Sequence, residues 1–375
     1  MRIINEKHES EAIASTTASP LPHSPAMSAP FTPSSPAALG YRMPAEWEPH
    51  AGTWLSWPYN PETWDGHLAG AEKAFVEMID ALKSHEVVQL LVPNEEVKAR
   101  ALKILGNKRE NLVIHCVETG DVWIRDYGPI FLKKEHAGKS EVAFAKFEYN
   151  AYGNKYEDLL IGNDAPDTMP LQDYKRFDAD MVLEGGSIDV NGTGSLLTTE
   201  SCLLSPDRNP DLRKEDIEQK LKDFLGVTNV LWLYAGIEGD DTTGHVDDLT
   251  RFTGQSSVVT VVEENTKDPN HGPLKENLER LKTMRDEKGT LLTVHPIPMP
   301  HAFTVEGRRM AASYANFYVA NGVVLVPTYK QASDAEALGV LAKSFPEREV
   351  IGIDCRELIW GYGSVHCVTQ QGIRR

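Results

Sequence analysis

Positive charge is in short supply. The chain has 375 residues, with 38 Lys and Arg against 55 Asp and Glu, a formal net charge of −17. That balance argues against a nucleic-acid partner, because phosphate binding needs a basic surface. It raises instead the local concentration of a cationic small molecule, although an acidic surface also serves solubility alone. Cysteine is scarce too: only Cys116, Cys202, Cys355 and Cys367 are present. None forms a C-x-x-C pair, which speaks against a thiolate zinc cluster. Long apolar runs are missing, with no stretch near the ~18 residues of a membrane span. The N-terminus also lacks the apolar h-region of a secretory signal. Reduced thiols and a cytoplasmic location are therefore expected, with no membrane partner.

What is present reads as an α/β protein. Residues 1–40 stand apart: Ala12–Leu39 is rich in Ser, Thr, Pro and Ala without hydrophobic periodicity, the composition of a disordered extension. An organelle transit peptide is a second reading, against which Glu6, Glu9 and Glu11 stand, and upstream sequence ahead of a start at Met27 is a third. A single globular domain is expected over 41–375. Five amphipathic helices are predicted, over Ala71–Ser84, Asn94–Leu105, Arg213–Leu225, Leu274–Glu287 and Ser333–Phe345, the last with Ser333 and Glu336 as a capping box. A β-branched apolar run follows each: Val87–Val92, Leu112–Val117, Val230–Leu233, Leu291–Ile297 and Val350–Asp354.

Candidate reactive residues recur along this pattern. Asp126, Glu184 and His245 are 58 and 61 residues apart, and Cys367 lies 122 further on, two steps of 61. The skipped step falls near Arg308–Asn316. Five repeats of roughly 60 residues suggest a closed array of similar αβ units, each delivering one side chain to a central axis.

Four segments carry the chemistry. In Trp360-Gly-Tyr-Gly363-Ser-Val-His-Cys367, glycines let a ligand approach the backbone, and the Cys is either a nucleophile or a small core residue. In Gly239-Asp-Asp241-Thr-Thr-Gly-His245-Val-Asp247, an extended chain would project His245 and Asp247 to one face. That pair suits proton transfer or, alternatively, a metal. In Asp121-Val-Trp123-Ile-Arg125-Asp126, a carboxylate can grip a planar guanidinium with paired hydrogen bonds while an aromatic face stacks on it. The plainer reading is a surface Arg–Asp pair beside a core Trp. In Leu183-Glu184-Gly185-Gly186, an acid follows an apolar stretch, where burial is costly unless it is paired. Cys116, Cys202 and Cys355 sit in apolar strand-like runs and read as inert core thiols.

Together with Met43-Pro-Ala-Glu46-Trp-Glu-Pro49, Trp54-Leu-Ser-Trp57-Pro58 and His366-Cys367-Val-Thr-Gln-Gln371, these motifs resemble the agmatine deiminase and Porphyromonas-type peptidylarginine deiminase family of the guanidino-group-modifying superfamily. The likeness spans Met43 to Gln371. It implies a five-bladed α/β propeller (a pentein) with pseudo-fivefold symmetry, and hydrolysis of a guanidine without metal or organic cofactor. It implies Cys367 as nucleophile and His245 as acid/base. Asp126 and Asp247 would hold the guanidinium nitrogens, with Glu184 in support. Trp123 would line the pocket, which Asp121, Asp241 and Gly363 are expected to share. Where many relatives read Gly-Asp-Glu-Thr-Asn-Gly-His, this chain has the shorter Asp241, so the substrate's far end is the open question. Agmatine is the expected substrate, giving N-carbamoylputrescine and ammonia. Peptidyl or free arginine is the rival, and a non-catalytic guanidino-binding propeller is the reading from another class. A homodimer or higher homo-oligomer is expected from the likeness alone.

Overall fold

The alternation of amphipathic helices and β-branched runs builds a mixed α/β protein, here described by a computed structural model over residues 31–106, 110–136 and 138–374. The chain opens with β1 (His50–Ser56), α1 (Leu68–Leu82), β2 (Val87–Val92), α2 (Glu95–Leu105) and β3 (Leu112–Cys116). Next come β4 (Ile130–His136), β5 (Lys139–Glu148) and β6 (Lys175–Val182). After them run β7 (Asp189–Val190), β8 (Ser195–Thr199), α3 (Lys214–Leu225) and β9 (Asn229–Leu233). A further unit has β10 (Thr250–Gly254), β11 (Ser257–Val262), α4 (His271–Leu281) and β12 (Thr293–Pro298), followed by the small hairpin β13 (Thr304–Val305) and β14 (Arg308–Arg309). The last has β15 (Tyr318–Ala320), β16 (Val323–Thr328), α5 (Ser333–Ser344) and β17 (Glu349–Asp354), and β18 (Thr369–Ile373) ends the order.

Five sheets repeat one strand plan. A leading strand runs antiparallel to its neighbour, which pairs parallel with the next: β4-β5-β6, β7-β8-β9, β10-β11-β12, β15-β16-β17 and β18-β1-β2, the last extended by β3. Parallel pairing needs a long crossover, and helices α1 to α5 provide it in four of the sheets. Leading strand β18 pairs with β1 from the other end of the sequence, Thr53 opposite Gln371.

The helices dock by their apolar stripes. On α1, Ala71, Ala74, Phe75, Met78, Ile79 and Leu82 are all buried, the i, i+3, i+4, i+7 spacing of one helical face. Fully burying such a side chain contributes roughly 1.5–3 kcal/mol. Asn94 caps α2 by accepting the Val97 N–H at 3.0 Å. At the end of α3, Gly226 takes φ +67°, and a Cβ there would meet the Tyr41 carbonyl oxygen at 2.6 Å.

Three expectations differ in detail. Helix α4 stops at Leu281, short of the expected Glu287; beyond it Arg285 pairs with Leu291 across a turn in which the Asp286 carboxylate gathers the N–H groups of Lys288 and Thr290. The capping box expected at Ser333 is absent: the Ser333 hydroxyl faces Tyr314, and the Asp334 carboxylate takes the Tyr329 and Gln331 N–H groups instead. The extension expected over 1–40 does not reach residue 40. Thr32 donates through N–H and hydroxyl to Asp223, at 2.8 and 2.6 Å, and Ala37 is buried. Residues 1–30 lie outside the described ones.

Candidate active site

One short turn precedes the leading strand of each sheet, and these turns carry the site. Asp126 sits in a helical turn, Ile124–Tyr127, before β4. Glu184 opens the turn before β7, and His245 and Asp247 bracket the start of the one before β10. Cys367 lies two residues before β18. The skipped step is occupied by Asn316, two residues before β15. The spacing is uneven there, with 71 residues from His245 to Asn316 and 51 to Cys367.

The turns converge at Gly186. A Cβ built on it would lie 2.6 Å from His245 Nδ1, 2.9 Å from Asp126 Oδ1 and 3.0 Å from Asp247 Oδ2. Only a residue without a side chain leaves these three groups together. Asp126 accepts from the Gly186 N–H and the Tyr152 hydroxyl, each at 2.9 Å. His245 Nδ1 stands 3.7 Å from Asp126 Oδ1. The Asp240 carboxylate shapes the approach to the imidazole by collecting the N–H groups of Thr242, Gly244 and His245. His245 and Asp247 are not strand neighbours as expected, since Val246–Asp248 coil into a 3-10 turn. Convergence comes from the turn rather than from a period of two.

Cys367 is buried beside two of these groups. Its sulfur lies 3.8 Å from Asp247 Oδ2 and 3.1 Å from Asn316 Nδ2. Burial, and then the charges of Asp247, Asp248 and Asp126, push the thiol well above its ordinary range. Burial likewise lifts Asp126 to about 6, eased by His245 and raised by Asp247 and Glu184. Burial works the other way on His245, but Asp126, Cys202 and Asp247 outweigh it and hold the imidazole well above its usual range. Both ring nitrogens of His245 and Oδ1 of Asp247 are buried without a hydrogen-bond partner among the described residues.

Glu184 is fully buried and takes the Arg208 Nε on both carboxylate oxygens, at 3.0 and 3.1 Å. Glu184, Cys202 and His245 also offer atoms within 4.8 Å of one another. A cation there would have to draw Glu184 away from Arg208. Cys202 is thus a buried thiol, as expected, but one beside the imidazole. Cys355 is a core thiol, whereas Cys116 is exposed and donates to Glu95 at 3.1 Å. It sits at the open end of edge strand β3, where a strand-like sequence does not ensure burial. Arg125 is not a surface partner of Asp126: it is buried, reaching Gln371 at 2.8 Å and Glu46 at 3.3 Å.

A cavity of about 590 Å³ opens over Cys367 and Asp126, and Asp121, Trp123, Asp241 and Gly363 all line it. His245, Asp247 and Glu184 stand behind that lining. The backbone at Gly363 lies against the Trp123 indole so closely that a Cβ would meet its Cζ3 at 2.3 Å. Asp121 accepts from Thr63 at 2.5 Å and from the Val122 N–H, and burial raises it to about 7. Asp241 accepts from the Tyr156 hydroxyl and faces Arg308 at 3.6 Å. Among the described residues, seven acidic side chains line the cavity against one guanidinium, that of Arg308.

Several of these groups carried no sequence signal. Tyr152 and Tyr156 lie on the long β5–β6 connection, and Tyr152, whose backbone is left-handed at φ +60°, donates its hydroxyl to Asp126. The run of tyrosines at 149, 152 and 156 was the available hint.

The sequence profile of the Porphyromonas-type peptidyl-arginine deiminase family matches residues 42–372. The agmatine deiminase of Pseudomonas aeruginosa is 36% identical over 363 residues, covering 90% of this chain and 97% of that protein. A structure described as the agmatine deiminase of Enterococcus faecalis catalysing its reaction superposes with a TM-score of 0.85 at 32% identity, covering 92% of this chain and 99% of that one. A Cys-to-Ser variant of C. jejuni agmatine deiminase with substrate bound superposes at 0.80 and 30% identity, covering 89% and 96%. This chain belongs to the Porphyromonas-type peptidyl-arginine deiminase family.

Proposed function

We propose that the protein is an agmatine deiminase, hydrolysing agmatine to N-carbamoylputrescine and ammonia. The observation that carries this reading is the meeting of Asp126, Asp247 and His245 at Gly186, with the Cys367 sulfur 3.8 Å from Asp247. Two carboxylates can hold the nitrogens of one planar cation with charge-assisted hydrogen bonds, and the unpartnered Oδ1 of Asp247 is suited to that role. The bound cation then offsets the carboxylate field that keeps Cys367 protonated, so the thiol releases its proton to solvent and the resulting thiolate attacks the guanidinium carbon. Imidazolium His245 gives its proton to the departing nitrogen, and ammonia leaves a covalent thiouronium on sulfur. Neutral His245 takes a proton from water as the water's oxygen bonds to carbon. The carbon–sulfur bond breaks, and the ureido product forms. Glu184 supports His245, and Trp123 walls the cavity that the cation enters.

The lining supports agmatine over arginine. Arginine would bring its α-carboxylate among seven others, whereas agmatine brings a second positive charge. The repeated strand plan, one site turn before each leading strand, and the β18–β1 join support closure of the five sheets as a pentein propeller. Four free thiols support the reducing cytoplasm as its location.

The test is ammonia release from agmatine, free arginine and an arginine peptide. Agmatine is expected to give much the highest kcat/KM, and Cys367→Ala to release none. A peptide turned over as well as agmatine would move the assignment to peptidylarginine. Normal ammonia release by Cys367→Ala would remove the nucleophile.

A further inference from the structure

The two oxygens of Asp247 keep different company. Oδ2 lies 2.7 Å from Nδ1 of His366, while Oδ1 has no hydrogen-bond partner among the described residues. On its other side, His366 places Nε2 2.8 Å from Glu46 Oε2. Both ring nitrogens therefore face carboxylate oxygens, and both contacts are hydrogen bonds only when the ring carries both protons. Glu46 is itself fixed. Its Oε1 accepts the Val319 N–H at 2.7 Å and meets Arg251 Nη2 at 3.0 Å, and its Oε2 meets Arg125 at 3.3 Å. Arg251 is further paired with Asp189 at 3.1 Å. The backbone N–H of His366 donates to Asn316 Oδ1 at 2.9 Å. The row from Glu46 through His366 to Asp247 is buried throughout.

We propose that His366 and Glu46 are positioning residues for the guanidinium grip: His366 engages Oδ2 of Asp247 and turns Oδ1 toward the substrate, while Glu46 fixes His366. The proposal rests on the reading of Asp247 as a guanidinium-holding carboxylate. The contrast with Asp126 supports it. Asp126 is held by a hydroxyl and an amide, both neutral donors, and burial leaves it readily protonated. Burial would lift Asp247 in the same way, but His366, and then His245 and Arg251, hold it below its ordinary range. One carboxylate of the pair is thus a fixed anion, and the fixture is His366. Because Cys367 is the next residue, the same imidazole ties the register of the nucleophile to that of its partner carboxylate.

Two substitutions separate positioning from bulk stability. His366→Asn places an amide nitrogen near the position of ring Nδ1 and can still donate to Asp247. His366→Gln reaches toward the position of Nε2 and serves Glu46 instead. With agmatine as substrate, His366→Gln is expected to lose about 10- to 100-fold in kcat/KM, the scale of a buried charged acceptor left without its donor. His366→Asn should stay within about tenfold of wild type on the same scale. Their Tm values should fall alike. Equal kcat/KM in the two variants, or losses that simply track Tm, would overturn the proposal. If neither variant folds, Glu46→Gln decides, since it keeps size and an acceptor but not the charge. A raised KM for agmatine is then expected, and an unchanged KM overturns the relay. Wild-type protein inert toward every guanidino compound would sink the assigned reaction and the relay with it. An active wild type with indistinguishable Asn and Gln variants sinks the relay alone.

Discussion

Two aspartates at one site are held in different protonation regimes, and the difference is measurable. Asp126 is lifted from 3.8 to about 6 by burial and by its acidic neighbours. Above that value it is ionised and able to hold a cation; below it the grip is lost. The kcat/KM for agmatine is therefore expected to climb as pH rises through about 6. Asp126→Asn should lower the rate at every pH and remove that limb, because an amide neither titrates nor offers two acceptors. A limb that persists unchanged in the variant assigns it to another group. The same shift costs the fold. Between 3.8 and about 6 the native state binds more protons than the unfolded one, so its stability falls as pH rises across that window. The cost at neutral pH is on the order of 3 kcal/mol. At this scale the sequence was informative where chemistry demanded a rare residue in a short motif. Cys367, His245, Asp126, Asp247 and Glu184 were singled out by their combination, since the segments taken singly kept plainer readings, and the fold brings them together. Glu46 and His366 stood inside recognised motifs without a stated role, because a buried hydrogen-bond row between distant segments leaves no local pattern. Asn316 was hidden for a related reason: it occupies the equivalent turn but supplies an amide, the least conspicuous of the polar groups.

At the level of elements, helices and strands were legible because their signals are periodic. Strand β2 was located to the residue, and α2 with its Asn94 cap nearly so. The misjudged pieces were turns, whose conformations are decided by side chains elsewhere. Asp286 shapes the turn beyond α4, and the 3-10 turn after His245 sets where Asp247 points. These turns, not the strands, hold the chemistry, so the sharpest structural test is a methyl group placed in one of them. Gly186→Ala would put its Cβ 2.6 to 3.0 Å from side-chain atoms of His245, Asp126 and Asp247. A loss of about 100-fold or more in kcat/KM is expected, the scale of an ångström-sized misplacement. Far-UV circular dichroism and thermal melting should show the fold retained. Near-normal turnover would mean that the three groups do not act as one site.

Over the whole molecule, the acidic composition and the chemistry agree. A net charge of −17 and a cavity edged by carboxylates draw in a dication at long range. Such attraction is screened over a Debye length of roughly 8 Å at physiological salt. The KM for agmatine is therefore expected to rise as salt is increased, and that of a guanidino compound lacking the second positive charge to rise less. Equal responses would assign the acidity to solubility alone. The repeat of about 60 residues was visible only through its reactive residues. The sheets share a strand plan but little sequence, and the uneven steps of 71 and 51 around Asn316 show how loosely length is constrained between turns.

The pairing of β18 with β1 joins Gly52 to Gly372, a separation of 320 positions. Closing a loop of that size carries an entropic cost on the order of 5 kcal/mol, and such distant partners meet slowly. The thiol rides on the segment that makes this join, while its acidic and imidazole partners belong to sheets assembled from nearer neighbours. A chain with every other sheet in place would keep its helices and still lack an assembled site. Yield and spectroscopic integrity are then poor guides to competence, and preparations should be compared per mole of Cys367 labelled by a guanidine-directed inactivator rather than per milligram.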